Sequence, residues 1–587
     1  MPLGNFDSPL QSANSTDLTT FKVLVDGNAL PAGTGIISLE IEKSINRIPS
    51  AFLLVDDGDP AGQTFQGSSS DHFVPGKKIE IKGGYHQDES TLFKGVITKQ
   101  KIRVNTWGGS FLHIEAKDEA FKMTLDRKSR YFKEMSDGDL FDEIAGAYDG
   151  ISVDFSPAGA PVRHPEITQY QISDWDFLIL RTEKLGMYCI VEDGTLKISG
   201  LPLVQTPAFR IEYGRNLIAL DMEMDARTQF QAVKASSWDE ANQEIITGES
   251  DDVSTPDQGN IPGAELAQIG GSNYSLAHGG ILTQQDLDTW AEAQMLKSRM
   301  SRIRGTVKFQ GNKTAAPGTL AEFRGFGDRF NGLALITGIQ HSLGRGDWRT
   351  TAQVGFNPQW HYEQYEIMAE PASGFASAIH GLQIGVVSQL QDDPEGRERI
   401  LVRLPIVDKA EEGTWMRWAS LDAGTERGFV FRPEIGDEVV VGFLNDDPNQ
   451  GIVIGALHSS SRAAPIPASD DNHIKGLVTR EKIKVTFNDE LKSLQLETPN
   501  GNTLTLSDDD GGVTLADENG NKVVLNSDGI ALESAKNITL KAQGDIKLEG
   551  TNIEQKANAS FKAQGSAGAE INSSAITVIK GSLVQIN

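Results

Sequence analysis

Cysteine is almost missing from this sequence, since Cys189 is the only one among 587 residues. An intramolecular disulfide is therefore excluded, and folding in a reducing compartment is the simplest interpretation. Long apolar runs are missing as well, because no stretch approaches the ~18–20 residues that a membrane-spanning helix needs. The first residues, up to Lys22, contain no basic side chain and no apolar segment typical of a secretory signal. We therefore expect a soluble chain that is not exported through a signal peptide.

Catalytic and cofactor motifs are also absent from the sequence. The 10 histidines are scattered, and none forms HExxH or another paired metal spacing. No GxSxG, GxGxxG or GxxxxGK[ST] pattern occurs, so hydrolase, dinucleotide and P-loop chemistry have no recognisable site. A carboxylate pair for glycoside hydrolysis needs only proximity in space, and the sequence selects no such pair. We expect no enzymatic activity, no catalytic residue, no cofactor and no metal.

Positive charge is scarce: 54 Lys and Arg face 81 Asp and Glu, which gives a net charge of -27. A field of that sign repels the phosphate backbone, so we do not expect a nucleic-acid partner. Glycine is frequent, with 60 residues, and favours many turns between short strands.

The chain is too long for one hydrophobic core, because single cores stop growing near ~250–300 residues. Composition and periodicity divide it into segments. We predict a flexible lead-in at residues 1–20, a β-rich domain with helical insertions at 21–366, an all-β domain at 379–458, a linker of Ser, Ala and Pro at 459–476, and a repetitive segment at 477–587. The all-β domain contains five short strand-like runs, which fits a small closed barrel of the OB type.

Three helices are predicted within the β-rich domain from their start and stop signals. A capping hydroxyl with an acidic residue three positions later precedes each of them, at Ser136, Ser173 and Thr283. Gly186 stands where the second helix should end. Residues 239–280 are rich in Gly, Asn, Ser and acidic residues and are interpreted as a long exposed loop or an insertion.

The repetitive segment carries apolar pairs whose members are two residues apart. From Ile530 onward these pairs recur every seven or eight residues, with Gly, Asn, Asp or Ser between them. Each unit is one short strand with one apolar side, which supplies only one wall of a solenoid. The economical solution is three chains that wind around a common axis, so that the apolar sides meet there. The predicted trimer core consists of Ile538, Leu540, Ile546, Leu548, Ile553, Phe561, Ile571, Ile576, Val578, Val584 and Ile586.

The alternative for this segment is an antiparallel meander of short hairpins, which would show the same alternation. Such hairpins favour Asn-Gly or Asp-Gly pairs in phase with the repeat. These pairs occur only sporadically, for example at Asn500-Gly501, Asn519-Gly520 and Asp528-Gly529.

Three motifs carry a resemblance to a known family. The first is Gln169-Tyr170-Gln171-Ile172-Ser173-Asp174-Trp175-Asp176-Phe177-Leu178, followed by Arg181, Glu183 and Gly186; the second runs from Gly428 to Phe443 and on to Gly455; the third is the ending from Lys580 to Asn587. In this order they resemble the VgrG-type spike proteins of contractile injection systems, which are related to the hub and needle of contractile phage tails.

The resemblance implies a homotrimer with a hub of two β-barrels per chain, an OB-type collar and a triple-stranded, intertwined β-helix as the needle. It implies as partners a hexameric tail-tube protein, baseplate proteins, effector cargo and a PAAR-type tip protein. The tip protein would bind the last strand, at Leu583, Val584, Ile586 and Asn587. Such a particle is assembled in the bacterial cytoplasm, and its spike punctures the target envelope and is delivered outside the cell or into a target cell.

Some members of the family carry additional domains or metal ligands that this sequence lacks. Residues 459–476 are too few to hold the lysozyme domain of some phage relatives, no toxic domain follows the needle, and no histidine follows His473 to bind iron at the tip. A trimeric fibre or adhesin, and a spike that degrades cell wall, stay as alternatives. The sequence leaves open whether the particle is a type VI secretion system, an extracellular injection system or a phage tail, and whether an ion occupies the needle axis.

Overall fold

The computed structural model describes residues 18–105, 109–157, 162–202 and 205–586. The chain divides into two compact units, residues 1–378 and 379–587. Strands dominate both units, and within the described ranges all five α-helices lie in the first one. The predicted fold class, mainly β with a few helices, is confirmed.

We call the first unit the hub. Seven strands form the first half of the hub. They are β1 (Thr19–Val25), β2 (Asn28–Ala29), β3 (Ile36–Ser44), β4 (Ser50–Asp56), β5 (Lys78–Tyr85), β6 (Asp88–Asn105) and β7 (Gly109–Lys117). Their alternate apolar residues, such as Leu39, Ile41 and Leu112, are fully buried in one core. Strand β1 includes the last two residues of the predicted lead-in, and residues 1–17 of that lead-in lie outside the described residues.

A middle layer of short strands and two helices follows. It consists of β8 (Arg127–Ser136), α1 (Asp137–Gly146), β9 (Ser152–Ser156), β10 (Arg163–Ser173), α2 (Asp174–Lys184), β11 (Tyr188–Glu192) and β12 (Thr195–Ser199). The Ser136 hydroxyl accepts a hydrogen bond from the Asp139 N–H, and the Ser173 hydroxyl accepts one from the Asp176 N–H. Gly186 adopts a φ of +67°, as a helix stop requires. Both predicted helices are confirmed.

The second half of the hub contains the remaining strands of its large sheet. Its elements are β13 (Phe209–Glu212), β14 (Leu217–Met224), β15 (Val233–Asp239), β16 (Glu244–Ser250), α3 (Gly263–Gly270), β17 (Tyr274–His278), α4 (Gln284–Met300), β18 (Ile303–Gln310), β19 (Leu320–Arg324), β20 (Gly332–Gly344), β21 (Asp347–Val354) and α5 (His361–Gln364). The third predicted helix is α4, and the Thr283 hydroxyl caps it by accepting from the Asp286 N–H. Strands β3 and β20 pair antiparallel, so both halves share one 13-stranded sheet.

Of the two interpretations of residues 239–280, the irregular loop is wrong, because the segment contains regular elements. This segment contributes β16 and β17 to a three-stranded sheet with β15, and it also contains α3. Two arginines hold the segment: Arg299, near the end of α4, donates from Nε to Asp252 Oδ1 at 2.6 Å, and Arg302, just after α4, donates from Nη2 to the Gln258 carbonyl at 2.6 Å. The segment is therefore held by side chains that lie outside it, which no local pattern could indicate.

The second unit begins with a small barrel. Its strands are β22 (Gln383–Gln389), β23 (Ile400–Arg403), β24 (Thr414–Trp418), β25 (Ala423–Gly424), β26 (Arg427–Gly428), β27 (Glu438–Phe443) and β28 (Gly451–Ala456). Five of them close in the order β22-β23-β24-β28-β27, around a core that includes Val387, Ile400, Val402, Val439 and Val441. These five strands are the runs predicted from the sequence, so the OB-type barrel is confirmed.

The repetitive segment begins with seven strands of nearly equal length. They are β29 (Ile474–Val478), β30 (Lys484–Asn488), β31 (Ser493–Glu497), β32 (Thr503–Ser507), β33 (Gly512–Ala516), β34 (Lys522–Asn526) and β35 (Gly529–Glu533). Each pairs antiparallel with the next, so over this stretch the single chain adopts the meander that was the alternative interpretation. From residue 534 to Ile586 the single chain forms no regular strand, because no neighbouring strand of the same chain supplies the hydrogen bonds.

Candidate assembly surfaces

One face of the meander is an apolar stripe that the chain itself does not cover. The register sets Leu496 opposite Leu504, Leu504 opposite Leu515, and Leu515 opposite Val523, so that apolar side chains line up from strand to strand. Leu515 remains 53% exposed and Leu506 41%. A folded chain rarely leaves a continuous apolar ladder of this length in contact with water, so the stripe is a candidate contact surface.

The predicted trimer core beyond the meander is not brought together by a single chain. All eleven side chains of that prediction, from Ile538 to Ile586, are exposed, between 48% for Val584 and 88% for Ile586. The predicted tip contacts Leu583, Val584 and Ile586 are exposed as well, and Asn587 lies outside the described residues. Their packing against other chains stays a prediction.

The first resemblance motif builds a buried ion-pair network at the start of α2. The Asp174 carboxylate, fully buried, accepts from Lys128 Nζ at 2.8 Å, Arg130 Nη2 at 2.7 Å and the Tyr148 hydroxyl at 2.8 Å. Gln169 Nε2 donates to the same carboxylate at 2.8 Å. Burial alone would raise the pKa of Asp174, but these donors outweigh it and hold that pKa below its usual range. The network holds the start of α2 against the β8–β10 ribbon.

A second network joins α2 to the end of the hub. Glu183 accepts from Lys297 Nζ at 2.9 Å and from the His361 backbone N–H at 2.8 Å. The His361 imidazole Nε2 lies 2.8 Å from Asp176 Oδ1, and Lys297 also lies 5.0 Å from the centre of the Trp360 ring. Burial alone would raise the pKa of Asp176, but its hydrogen bonds with His361 and Ser173 outweigh burial and lower that pKa. Glu183 belongs to the first resemblance motif, but no sequence signal identifies Lys297 as its partner, because 114 residues separate the two.

The second motif forms an exposed apolar segment on the barrel. Phe429, Val430 and Phe431 lie outside the strands and are exposed, and the Ser420 hydroxyl holds the segment by donating to the Phe429 carbonyl. Gly428 precedes it with a φ of +138°, where an added Cβ would lie 2.4 Å from the Asp422 carbonyl oxygen. The glycine is therefore required by the backbone, and the aromatic residues form a second candidate contact surface.

The described part of the chain offers few groups for chemistry. It contains no group of three or more His, Cys, Asp or Glu that could hold a metal ion. Cys189 is buried in β11, as its apolar neighbours predicted, and burial raises the pKa of its thiol, which opposes reactivity. No helix among the described residues is both long and apolar enough to cross a membrane.

Comparison with known protein families assigns most of the chain. Residues 15–344 match the Alg8 N-terminal domain, residues 383–458 match the injector OB domain of type VI secretion systems and phage baseplates, and residues 493–587 match the C-terminal trimerisation domain of phage baseplate protein V. The first match alone covers more than half of the 587 residues.

Individual relatives match over short stretches. The type VI secretion system spike protein VgrG5 of Pseudomonas aeruginosa is 37% identical over 94 residues, which are 15% of this chain and 12% of the relative. The spike protein VgrG3 of Vibrio cholerae is 39% identical over 56 residues, 10% of this chain and 6% of the relative. The matched stretches thus span only a small part of the length of these curated relatives.

Solved structures of tail and spike proteins are similar at low identity. A tail protein of Neisseria meningitidis has a TM-score of 0.44 and 15% identity, over 58% of this chain and 98% of that chain. The lidded PdpA-VgrG complex of Francisella has a TM-score of 0.41 and 11% identity, over 88% of this chain and 81% of that chain. The three domain matches and the curated relatives, with the hub, the OB barrel and the repetitive segment in that order, assign the chain as a whole. The chain belongs to the family of VgrG-type spike proteins, which are related to the hubs of phage tails.

Proposed function

We propose that three copies of this chain assemble into the spike of a contractile injection machine, which punctures a target envelope and delivers effectors. The observation that carries this proposal is the apolar stripe of the meander, which stays in contact with water in one chain. It lies largely within the residues that match a trimerisation domain. Three meanders around one axis would cover all three stripes at once.

The work in such a machine comes from contraction of its sheath, so the spike would transmit force and catalyse nothing. Its requirement is stiffness, which inter-chain ladders and a continuous apolar axis would supply. We propose that the chain is not an enzyme. Release of soluble fragments from purified peptidoglycan by the intact protein would contradict this.

We further propose four partners: a hexameric tail-tube protein at the hub, baseplate proteins around it, a PAAR-type tip protein at the last residues of the needle, and effector cargo. The particle would be assembled in the bacterial cytoplasm and its spike delivered outside the cell or into a target cell.

The first experiment is light scattering of the purified full chain. A mass near three times 63.6 kDa, about 191 kDa, that persists in mild denaturant supports the spike. A stable monomer contradicts it. Sedimentation with the tail-tube protein of the same bacterium then distinguishes a spike, which co-sediments, from a trimeric fibre, which does not.

A further inference from the structure

A cavity of about 550 Å³ lies in the hub. It is bounded by the sheet β14-β18-β21-β20-β3 on one side and by the segment from Phe356 to Tyr365 on the other. Its volume falls within the range of ~300–1,000 Å³ that is usual for ligand sites. Glu183 and Gly186, from the first resemblance motif, contribute to its lining.

The floor of this cavity is a straight polar row across five strands. Asp221, Thr306, Gln353 and Ser44 line the cavity. Asp221 pairs with Thr306 and Thr306 with Gln353, while Gly338 of β20, which is not itself part of the lining, pairs with both Gln353 and Ser44; paired residues point to the same face. Gly338 keeps the middle of the row open, because a Cβ there would lie 2.5 Å from Ser44 Oγ and 2.7 Å from Gln353 Oε1. With strands ~4.8 Å apart, the row is roughly 19 Å long, the length of about six extended residues.

The side chains of this row are available for a ligand. Within the described residues, those of Asp221, Thr306, Gln353 and Ser44 have no hydrogen bond or ion pair to another protein group. By contrast, the deeper pair of Glu183 and Lys297 is fully engaged with its own partners. Hydroxyl and amide groups in the middle of the row can therefore serve the backbone of a bound chain.

Opposite charges stand at the two ends. Asp221 lies on β14, at one end of the row, and is exposed. Arg47 lies just beyond β3, at the other end, with its guanidinium 5.7 Å from the centre of the Tyr365 ring and no carboxylate partner in the described part of the chain. Within the described residues, the cavity thus offers an unpaired anion and an unpaired cation about six extended residues apart, with the uncharged Thr306, Gln353 and Ser44 between them. Arg304 and Glu223 also line the cavity, but they are paired with each other at 2.6 Å.

We propose that this cavity binds an extended peptide segment of another protein, with a Lys or Arg against Asp221 and an Asp or Glu about five positions away against Arg47. The segment crosses the strands of the sheet, and its backbone groups bind Thr306, Gln353 and Ser44. This binding site goes beyond the spike function and does not depend on it.

The test uses fluorescence anisotropy with the full chain and three labelled hexapeptides. They are Lys-Ser-Ala-Ala-Ser-Glu, Lys-Ser-Ala-Ala-Ser-Lys and Glu-Ser-Ala-Ala-Ser-Glu. We expect the mixed-charge peptide to bind at least about threefold more tightly than either like-charged peptide, a modest factor because the end charges are solvated. Equal binding of all three, or none at millimolar peptide, would overturn the proposal.

Charge reversal at each end gives a sharper result. Asp221→Arg should shift the preference to the Glu/Glu peptide, and Arg47→Glu should shift it to the Lys/Lys peptide. Asp142→Asn, at an exposed position of α1, is the matched control and should keep the preference for mixed charge. Variants that leave the order of the three affinities unchanged would show that the peptide binds elsewhere and would contradict the assignment.

Discussion

Replacing Leu515 by aspartate should abolish trimer formation. Leu515 lies in the middle of the apolar stripe, opposite Leu504 on one side and Val523 on the other, and is 53% exposed in one chain. Complete burial of a leucine stabilises by roughly 1.5–3 kcal/mol. Covering the exposed half therefore contributes about 1 kcal/mol per chain and about 3 kcal/mol per trimer. That loss alone lowers the trimer association constant on the order of 100-fold.

The aspartate adds a larger penalty, because three carboxylates would face one another on a dry axis. Their desolvation and mutual repulsion cost several kcal/mol per ion, so the trimer should dissociate at micromolar concentration. Thr514→Asp is the matched control, since Thr514 is the neighbouring residue on the opposite face of β33 and pairs with Thr505 and Val524. Light scattering should give about 64 kDa for Leu515→Asp and about 191 kDa for the control. An intact Leu515→Asp trimer, or equal dissociation of both variants, would refute the reasoning.

Three further predictions concern stability and reactivity. Because the pKa of Asp174 is lowered in the folded hub, the stability that its carboxylate contributes is fully present above the unfolded-state pKa near ~3.9 and is lost as pH falls below that value. Asp174→Asn should therefore lower the free energy of unfolding at pH 7 by about 3 kcal/mol and flatten the pH dependence of that free energy between pH 5 and 2. The control Asp142→Asn should do neither. Gly413→Ala should destabilise the barrel by at least about 2 kcal/mol in thermal unfolding, since the φ of Gly413 is +110° and the new Cβ would lie 2.2 Å from the Val402 carbonyl oxygen. Gly396→Asn should be nearly neutral, because the φ of Gly396 is +62° and open space surrounds it. The Cys189 thiol should react with Ellman's reagent only after unfolding, and rapid labelling of the native protein would contradict its burial.

The helices and the barrel could be predicted from the sequence because their signals are local. A hydroxyl followed three residues later by an acid specifies the starts of α1, α2 and α4, and each hydroxyl accepts the expected backbone N–H. The alternating runs of the barrel strands β22 and β27 are likewise complete within seven and six residues.

The elements that the sequence could not predict depend on distant partners. Residues 239–280 were predicted to be a loop because Arg299 and Arg302, which bind the segment, lie outside it. No sequence pattern links these two arginines to it. The polar row of the hub cavity could not be predicted for the same reason, since Ser44 on β3 and Asp221 on β14 are far apart in the sequence and come together only through the strand order of the sheet. The repeat predicted where the strands lie and which of their side chains are apolar. Alternation alone could not predict which strands pair with one another.

The pairing of β3 with β20 has a consequence for synthesis on the ribosome. Strand β3 ends at Ser44 and its partner begins at Gly332, so nearly 300 residues must be translated before the second edge of β3 is covered. At ~5–20 residues per second, that edge stays open for roughly 15–60 s in every nascent chain. An open strand edge is a template for mispairing with a neighbouring polypeptide. Three chains emerging side by side would each carry one, so cells that make this protein in quantity should depend on chaperones that bind the nascent N-terminal half.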